Sequence, residues 1–271
     1  MGKVFLMDVD KCNGCYSCQV VCKDEHCGND WRPYAAPQPE TGHFWMHMVE
    51  KTRGQVPTVR VAYTAVMCAH CEDAPCAEAC TSGAFTRRED GLLLIDPDTC
   101  TGCGACVDAC PLHAIYFNEE AGIAQKCTGC AHLLDNEWTE PRCVDACSHE
   151  ALIYREESEI ADLLADAVAL EPVAGFGPRV FYRNLPKRWI AGCLVDFEED
   201  EVVIGAEVTI AGPNGFTATQ PTDEFGDFWF KQIEPGEYTV TAAKDGYAPF
   251  EMTVDVTAID RTLGDLAFKK A

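Results

Sequence analysis

The chain has 271 residues, of which 47% are hydrophobic, and a formal net charge of -23 at pH 7. This length favours two domains over one, and the ordinary apolar content predicts folded domains rather than a disordered chain. The negative charge excludes proteins that bind nucleic acid by neutralising phosphates with lysine and arginine, so no nucleic-acid partner is expected.

The eighteen cysteines fit either a disulfide framework in an exported protein or metal ligation in a reducing compartment. The first residues, MGKVFLMDVDKC, lack the features of a signal peptide. No apolar stretch is long enough for a membrane span. We therefore expect a cytoplasmic protein without a direct membrane span, whose thiols are reduced or bound to metal.

Sixteen of the eighteen cysteines form four groups, each of which begins with Cys-x2-Cys and ends with Cys-x3-Cys. In chain order the groups are Cys12, Cys15, Cys18 and Cys22; Cys68, Cys71, Cys76 and Cys80; Cys100, Cys103, Cys106 and Cys110; and Cys127, Cys130, Cys143 and Cys147. A disulfide scaffold has no need of one spacing four times over. The internal repeat therefore predicts metal ligation.

The run Cys-x2-Cys-x2-Cys-x3-Cys, found in groups one and three, is typical of bacterial ferredoxins with [4Fe-4S] clusters. In that motif three cysteines bind one cluster and the fourth binds another. Zinc also binds Cys-x2-Cys, although usually as two separated pairs around a single ion. The spacing favours iron-sulfur clusters and leaves a zinc-bound structural adaptor as an alternative.

Exchange of the fourth ligands requires the groups to pair. Groups two and three are close in sequence and form one pair, which leaves groups one and four to form the other. The predicted ligand sets are Cys12, Cys15, Cys18 with Cys147; Cys127, Cys130, Cys143 with Cys22; Cys68, Cys71, Cys76 with Cys110; and Cys100, Cys103, Cys106 with Cys80. We expect sixteen iron-ligating cysteines and no catalytic residue in this chain.

Three residues near the groups are open to more than one interpretation. Cys27 and Cys193 lie outside the repeated spacing and are expected to be inert thiols, although Cys27 is close enough to Cys22 to replace it. Lys126 precedes Cys127, where its charge would raise the potential of a neighbouring cluster unless the side chain is exposed. The aromatic- and proline-rich segment 31–60 is either a cover over the clusters or a face that meets a partner.

Beyond the last group the pattern predicts a helix from Ser158 to about Pro172, since Ile160, Leu163 and Leu164 begin one apolar face. An irregular connector follows. After Trp189 apolar and polar residues alternate between short turn signals, which predicts strands. Asp223, Glu224 and Asp227 lie in one of these turns and are either solvated or calcium ligands.

The predicted fold class is therefore α+β, in three parts. Residues 1–157 form a duplicated bacterial-ferredoxin-like cluster domain, 158–186 a helix and connector, and 187–271 a small antiparallel β-sandwich. The sandwich resembles carboxypeptidase regulatory-like or prealbumin-like domains, in which GEYTVTAAKDGY is a typical hairpin.

Residues 1 to about 157 resemble the electron-transfer subunits of molybdopterin oxidoreductases of the dimethyl sulfoxide reductase family. The order of the groups and the segments CAHCEDAPC and EDGLLLIDPDTCTGC carry this resemblance. It implies four [4Fe-4S] clusters, or three as in some relatives, and a large catalytic partner subunit that carries molybdenum bis-molybdopterin guanine dinucleotide.

The C-terminal sandwich narrows the resemblance to members whose heterodimeric holoenzyme moves a hydroxyl group between trihydroxybenzenes. The alternatives are the electron-transfer subunit of another oxidoreductase of the same family and a freestanding polyferredoxin.

Overall fold

The protein divides into two compact units in a computed structural model that describes residues 2–271. The first unit contains residues 2–50 and 63–185, and the second contains residues 51–62 and 186–271. Segment 158–186, predicted as a connector, thus lies almost entirely in the first unit. No helix in residues 2–271 is long and apolar enough to cross a membrane.

The helices of the first unit are short, and all but the first have four residues. They are α1 (Ser17–His26), α2 (Pro75–Glu78), α3 (Ala105–Asp108), α4 (Ala131–Leu134), α5 (Arg142–Asp145) and α6 (Ala161–Leu164). Helices of this length are unstable in isolation and depend on what they pack against. Helix α1 packs against α5, and α2 packs against α3.

The strands of the first unit form one three-stranded sheet and three hairpins. They are β1 (Lys3–Asp8), β2 (Met46–Gln55), β3 (Thr58–Met67), β4 (Phe85–Arg87), β5 (Leu93–Ile95), β6 (Ile115–Asn118), β7 (Ile123–Lys126), β8 (Leu152–Glu156) and β9 (Val180–Arg183). Strand β1 pairs antiparallel with β8 and parallel with β9. The hairpins β4–β5 and β6–β7 follow helices α2 and α3, so the protein repeats one helix-hairpin unit.

The helix predicted from Ser158 is wrong in its length, because the structure is helical only over α6. Val168 and Tyr182 exchange two backbone hydrogen bonds, of 2.9 and 2.8 Å, which hold the backbone extended where the helix was expected to continue. The irregular connector also contains β9, and segment 31–60 contains most of β2. Ile160 nevertheless packs with Val4 and Leu6, as its place on an apolar face predicts.

The second unit is a sandwich of two four-stranded sheets. Its strands are β10 (Arg188–Asp196), β11 (Glu201–Val202), β12 (Glu207–Ala211), β13 (Thr217–Pro221), β14 (Asp227–Ile233), β15 (Glu237–Ala243), β16 (Phe250–Asp255) and β17 (Arg261–Ala267). One sheet has the order β13-β12-β15-β16, and in the other β10 pairs with β11, β14 and β17. The β10–β17 pair is parallel, which corrects the expectation of a wholly antiparallel sandwich.

The core of the sandwich has the period-two pattern that its sequence predicts. Along β15, Tyr238, Val240 and Ala242 are buried while the residues between them are partly exposed. Ile190 and Leu194 of the opposite sheet are also fully buried. Because successive strand residues point to opposite faces, one face of each sheet supplies this core.

The tip of the β2–β3 hairpin, residues 51–62, joins the sandwich through Arg53. Its guanidinium donates to both carboxylate oxygens of Asp260, at 3.1 and 2.7 Å, and lies 4.6 Å from the ring centroid of Trp189. The Arg53 side chain is 8% exposed and that of Asp260 is 3% exposed. A bidentate pair with both charges hydrogen-bonded is the form in which burial is tolerated.

Candidate metal centre

The four Cys-x2-Cys loops share one backbone feature, a left-handed residue just before the second cysteine. These residues are Gly14, His70, Gly102 and Gly129, with φ of 71°, 48°, 71° and 61°. Glycine adopts this conformation without a steric cost. The turn aims the amide back at the first cysteine, so His70 N donates to Cys68 Sγ at 3.4 Å and Gly129 N donates to Cys127 Sγ at 3.3 Å.

The first outer set consists of Cys12, Cys15, Cys18 and Cys147. Burial raises the pKa of the Cys18 thiol to about 11, and the neighbouring Cys12 and Cys147 thiols raise it further. Burial likewise raises the pKa of Cys12, with Cys147 and Cys15 adding to the effect. The structure therefore brings Cys147, from the end of the fourth group, to the first three cysteines of the first group. Cys15 is exposed.

The first inner set consists of Cys22, Cys127, Cys130 and Cys143, all of which are buried. Burial raises the pKa of the Cys22 thiol well above its usual value, and its neighbours Cys127 and Cys130 raise it further. The pKa of Cys143 is raised by burial and then by Cys130, Cys22 and Cys127. Packing of α1 on α5 creates this set, because Cys22 lies on the first helix and Cys143 on the second.

The second inner set consists of Cys68, Cys71, Cys76 and Cys110. Burial raises the pKa of Cys76 to about 12, and Cys68, Cys110 and Cys71 all act in the same direction. Only Cys71 is partly exposed; the other three are buried. Ala114 N donates to Cys110 Sγ at 3.4 Å, so a second sulfur of this set accepts a backbone hydrogen bond.

The second outer set consists of Cys80, Cys100, Cys103 and Cys106. Burial raises the pKa of Cys106 to about 11, and its neighbours are Cys100, Cys80 and Cys103. Burial opposes ionisation of Cys80 as well, but hydrogen bonds from the Ser82 side chain and the Ala84 amide lower the pKa of that thiol overall. Cys103 is exposed, as Cys15 is in the first outer set.

The four sets follow one another in space. Cys18 of the first outer set raises the pKa of Cys143, in addition to burial, and so lies beside the first inner set. Cys68 acts in the same way on Cys127 and links the two inner sets. Helices α2 and α3 bring Cys76 of the second inner set towards Cys106 of the second outer set. The arrangement is a row whose two ends have an exposed thiol and whose two middle sets are mostly buried.

The two cysteines outside the repeated spacing lie apart from the sets. Cys27 Sγ is 3.8 Å from the Pro39 carbonyl oxygen, and Cys193 Sγ is 3.3 Å from that of Phe225 in the sandwich. It is Cys22, rather than Cys27, that neighbours Cys127 and Cys130. In the turn at 223–227, Asp223 Oδ1 accepts hydrogen bonds of 2.9 Å from two backbone amides, which explains that side chain without an ion.

Two residues matter here in ways that the spacing does not show. Lys126 is buried, with an exposure of 2%, whereas its sequence left exposure open. His70 is fully buried, and its Nδ1 accepts a hydrogen bond of 3.0 Å from Leu93 N. Its place in CAHC, where the other three loops have glycine before the second cysteine, is the signal that could have singled it out.

The chemistry of the sets fits iron-sulfur clusters. Four thiols meet in each set, and backbone amides are directed at sulfur, which is how proteins hold and tune such clusters. Burial raises the pKa of most of these thiols, so they ionise only if a cation compensates the charge, as iron does. No three His, Cys, Asp or Glu side chains within residues 2–271 converge closely enough for a single metal ion.

Two family models match this protein. Residues 59–157 match the 4Fe-4S dicluster domain, which covers cysteine groups two to four. Residues 190–268 match the carboxypeptidase regulatory-like domain. These matches confirm the predicted fold class and the predicted type of cluster.

Relatives among characterised proteins cover both units. The chain is 37% identical to the pyrogallol hydroxytransferase small subunit of Pelobacter acidigallici over 98% of its own length and 97% of that protein. It is 34% identical to a tetrathionate reductase subunit of Archaeoglobus fulgidus, over 67% of its own length and 82% of that protein.

A third relative matches the first unit alone. One component of the anaerobic dimethyl sulfoxide reductase of Escherichia coli is 34% identical over 46% of the present sequence, which spans 60% of that component's length. The shorter match agrees with the resemblance inferred for residues 1–157, and the full-length match agrees with the narrower resemblance inferred from the sandwich. The present protein belongs to the family of iron-sulfur subunits that includes the pyrogallol hydroxytransferase small subunit.

Proposed function

We propose that this protein is the electron-transfer subunit of a heterodimeric molybdopterin enzyme and holds four [4Fe-4S] clusters. The two outer and two inner sets would each bind one cluster, so that all sixteen cysteines are ligands. Support comes from the neighbours of the thiols, because each set joins three cysteines of one group to the last cysteine of another. This exchange is the behaviour of the two-cluster ferredoxin motif.

The single observation that carries the proposal is the row itself. Its middle is buried and both ends reach the surface at Cys15 and Cys103. A lone cluster could be structural, but four electron-carrying sites between two exposed ends form a path with an entrance and an exit. The clusters supply the electron transfer when bound, and the residues around them set their separation, burial and hydrogen bonding.

The partner would be a large subunit with molybdenum bis-molybdopterin guanine dinucleotide, and the holoenzyme would convert pyrogallol to phloroglucinol. Both follow from the full-length similarity to a pyrogallol hydroxytransferase small subunit. The reaction moves a hydroxyl group between phenols without net oxidation, so the row would poise the partner's metal rather than export electrons. We place the complex in the cytoplasm, because all eighteen cysteines are unpaired, as expected in a reducing compartment.

The sandwich would dock the large subunit through an apolar patch, defined here as Phe197, Val202, Ile204 and Phe225. These side chains are between 42% and 64% exposed. Val202 pairs with Val195 beside the turn that contains Phe197, and a Cβ on Gly226, next to Phe225, would lie 2.9 Å from that of Val202. Acidic residues 198–201 border the patch, so it fits a partner face with an apolar centre and basic edge.

The direct test is anaerobic purification of the native complex, followed by metal analysis and EPR. We expect four irons and four inorganic sulfides for each thiol set, together with molybdenum in an equimolar large subunit. Zinc without iron would favour a structural adaptor. A stable lone protein that exchanges electrons with several unrelated enzymes would favour a freestanding polyferredoxin.

Substitution of the apolar patch tests docking separately. Phe225→Ser should weaken retention of the large subunit while leaving cluster content unchanged, because the patch is remote in sequence from every cysteine set. Ile259→Ser is the matched control, since Ile259 is 44% exposed in the same unit but lies outside the patch. Equal retention in both variants would contradict docking through this patch.

A further inference from the structure

Lys126 is a buried cation without a carboxylate partner. Its side chain ends β7, is 2% exposed, and donates from Nζ to the carbonyl oxygens of Leu93 and, at 3.1 Å, Cys127. None of the ion pairs among residues 2–271 includes it. Burial of an ammonium group is costly unless a negative charge compensates it, and two carbonyl dipoles supply only part of that compensation.

The surroundings of Lys126 join the two inner sets. On one side it precedes Cys127 and binds that residue's carbonyl oxygen. On the other it binds the carbonyl of Leu93, whose amide donates to His70 Nδ1 at 3.0 Å, and the His70 amide donates to Cys68 Sγ at 3.4 Å. The path from Cys127 of the first inner set to Cys68 of the second therefore runs through Lys126.

The thiols respond to this cation. Burial and neighbouring cysteines raise the pKa of Cys71 and Cys76, and Lys126 acts against both shifts. It also counters the effect of burial on Cys127. The missing counter-charge thus lies on both sides, since a cubane bound by four thiolates carries a net negative charge and reduction adds one more electron.

We propose that Lys126 is a counter-ion shared by the two inner clusters and raises the reduction potentials of both. A fixed positive charge in a buried site favours the more negative, reduced state of each neighbouring cluster. The inner clusters would then accept electrons more readily than burial alone allows. This inference depends on the proposed clusters, but its test is a potential rather than an activity.

The experiment is an EPR-monitored redox titration of the purified holoenzyme carrying Lys126→Gln. We expect two of the four cluster signals to shift to lower potential and the other two to stay within error of the wild type. Lys11→Gln is the matched control, because Lys11 is exposed and likewise precedes a ligand candidate, Cys12. Solvent screens its charge, so its removal should shift no signal by a comparable amount.

Lys126→Arg keeps the charge and should keep both potentials near the wild-type values. Unshifted signals in Lys126→Gln, or an equal shift of all four, would overturn the proposal. If Lys126→Gln fails to assemble clusters while Lys126→Arg assembles them, the requirement for charge is supported. Failure of both would show that shape matters instead. Absence of iron from the wild-type protein would refute the proposed function itself and is recognised before any titration.

Discussion

The two units of this protein have cores of different chemistry. In the first, nine cysteines are buried among aliphatic and aromatic residues, most helices have four residues, and several strands have three or four. In the second, aliphatic and aromatic side chains fill the space between two sheets, and most strands have five to nine residues. One unit has many short elements around thiols, and the other has fewer, longer strands in continuous register.

This difference shows what can substitute for length in secondary structure. A four-residue helix contributes little free energy of its own, so the helices that carry Cys76, Cys106 and Cys143 need another source of stability. Iron bound to their thiols would supply it, because ligand sets that join distant segments convert binding free energy into folding free energy. The sandwich needs no such help, since its extended strands bury a continuous apolar core.

Removal of iron should separate the two units most clearly. Anaerobic chelation is expected to unfold residues 2–50 and 63–185, because sixteen ligands would lose their metal at once. Residues 51–62 and 186–271 should stay folded. Hydrogen exchange with peptide-level resolution measures this, and loss of protection in both units together would contradict it.

Loss of one ligand should damage one set. Cys22→Ala is expected to remove the cluster of the first inner set, which Cys22 shares with Cys127, while the Cys12 cluster largely forms. EPR and iron content report the outcome. Cys27→Ala is the control, since Cys27 lies against the Pro39 carbonyl and should be dispensable. Loss of the Cys12 cluster alone in Cys22→Ala would show that the exchange of ligands is wrong.

Removal of the buried ion pair should affect the sandwich alone. Arg53→Ala leaves Asp260 without its guanidinium partner, and breaking such a buried pair costs about 3–5 kcal/mol. We expect a lower melting temperature for the second unit and an unchanged iron content. A matched loss in both units would contradict the assignment of the hairpin tip to the sandwich. Arg53→Lys tests geometry, because lysine keeps the charge without the bidentate contact.

A pair of glycines in group three offers the finest test. Gly102 and Gly104 have φ of 71° and 74°, so alanine is strained at both. A Cβ on Gly102 would lie 2.2 Å from the Gly122 carbonyl oxygen, whereas a Cβ on Gly104 meets no atom within 4 Å. Gly104→Ala should cost about 1–2 kcal/mol and Gly102→Ala more, as cluster retention during thermal unfolding would show. Equal losses would mean that the close contact is relieved cheaply.

The sequence predicted the parts of this molecule in which one physical rule dominates. Cysteine spacing indicated the cluster type, which the 4Fe-4S dicluster match confirms. Alternation of apolar and polar residues indicated β15, where Val240 is buried as expected. The ligand sets, the number of clusters and the boundaries of the three parts stay predictions, although the structure places the thiols of each predicted set as neighbours.

Elements that depend on distant partners were missed. The helix expected to run past Val168 ends early because Tyr182, fourteen residues on, takes the backbone hydrogen bonds of Val168. Strand β17 runs parallel to β10, and local alternation carries no information about the direction of a partner strand. The burial of Lys126 likewise depends on Leu93, whose carbonyl accepts its proton from another strand.

The exposure of Cys15 and Cys103 also determines how this protein would fail. Oxidants reach sulfur at the surface before they reach sulfur in a core. Damage in air should therefore begin at both ends of the row and proceed inward. A briefly exposed sample would keep its middle clusters and an intact fold, yet electrons could no longer enter or leave.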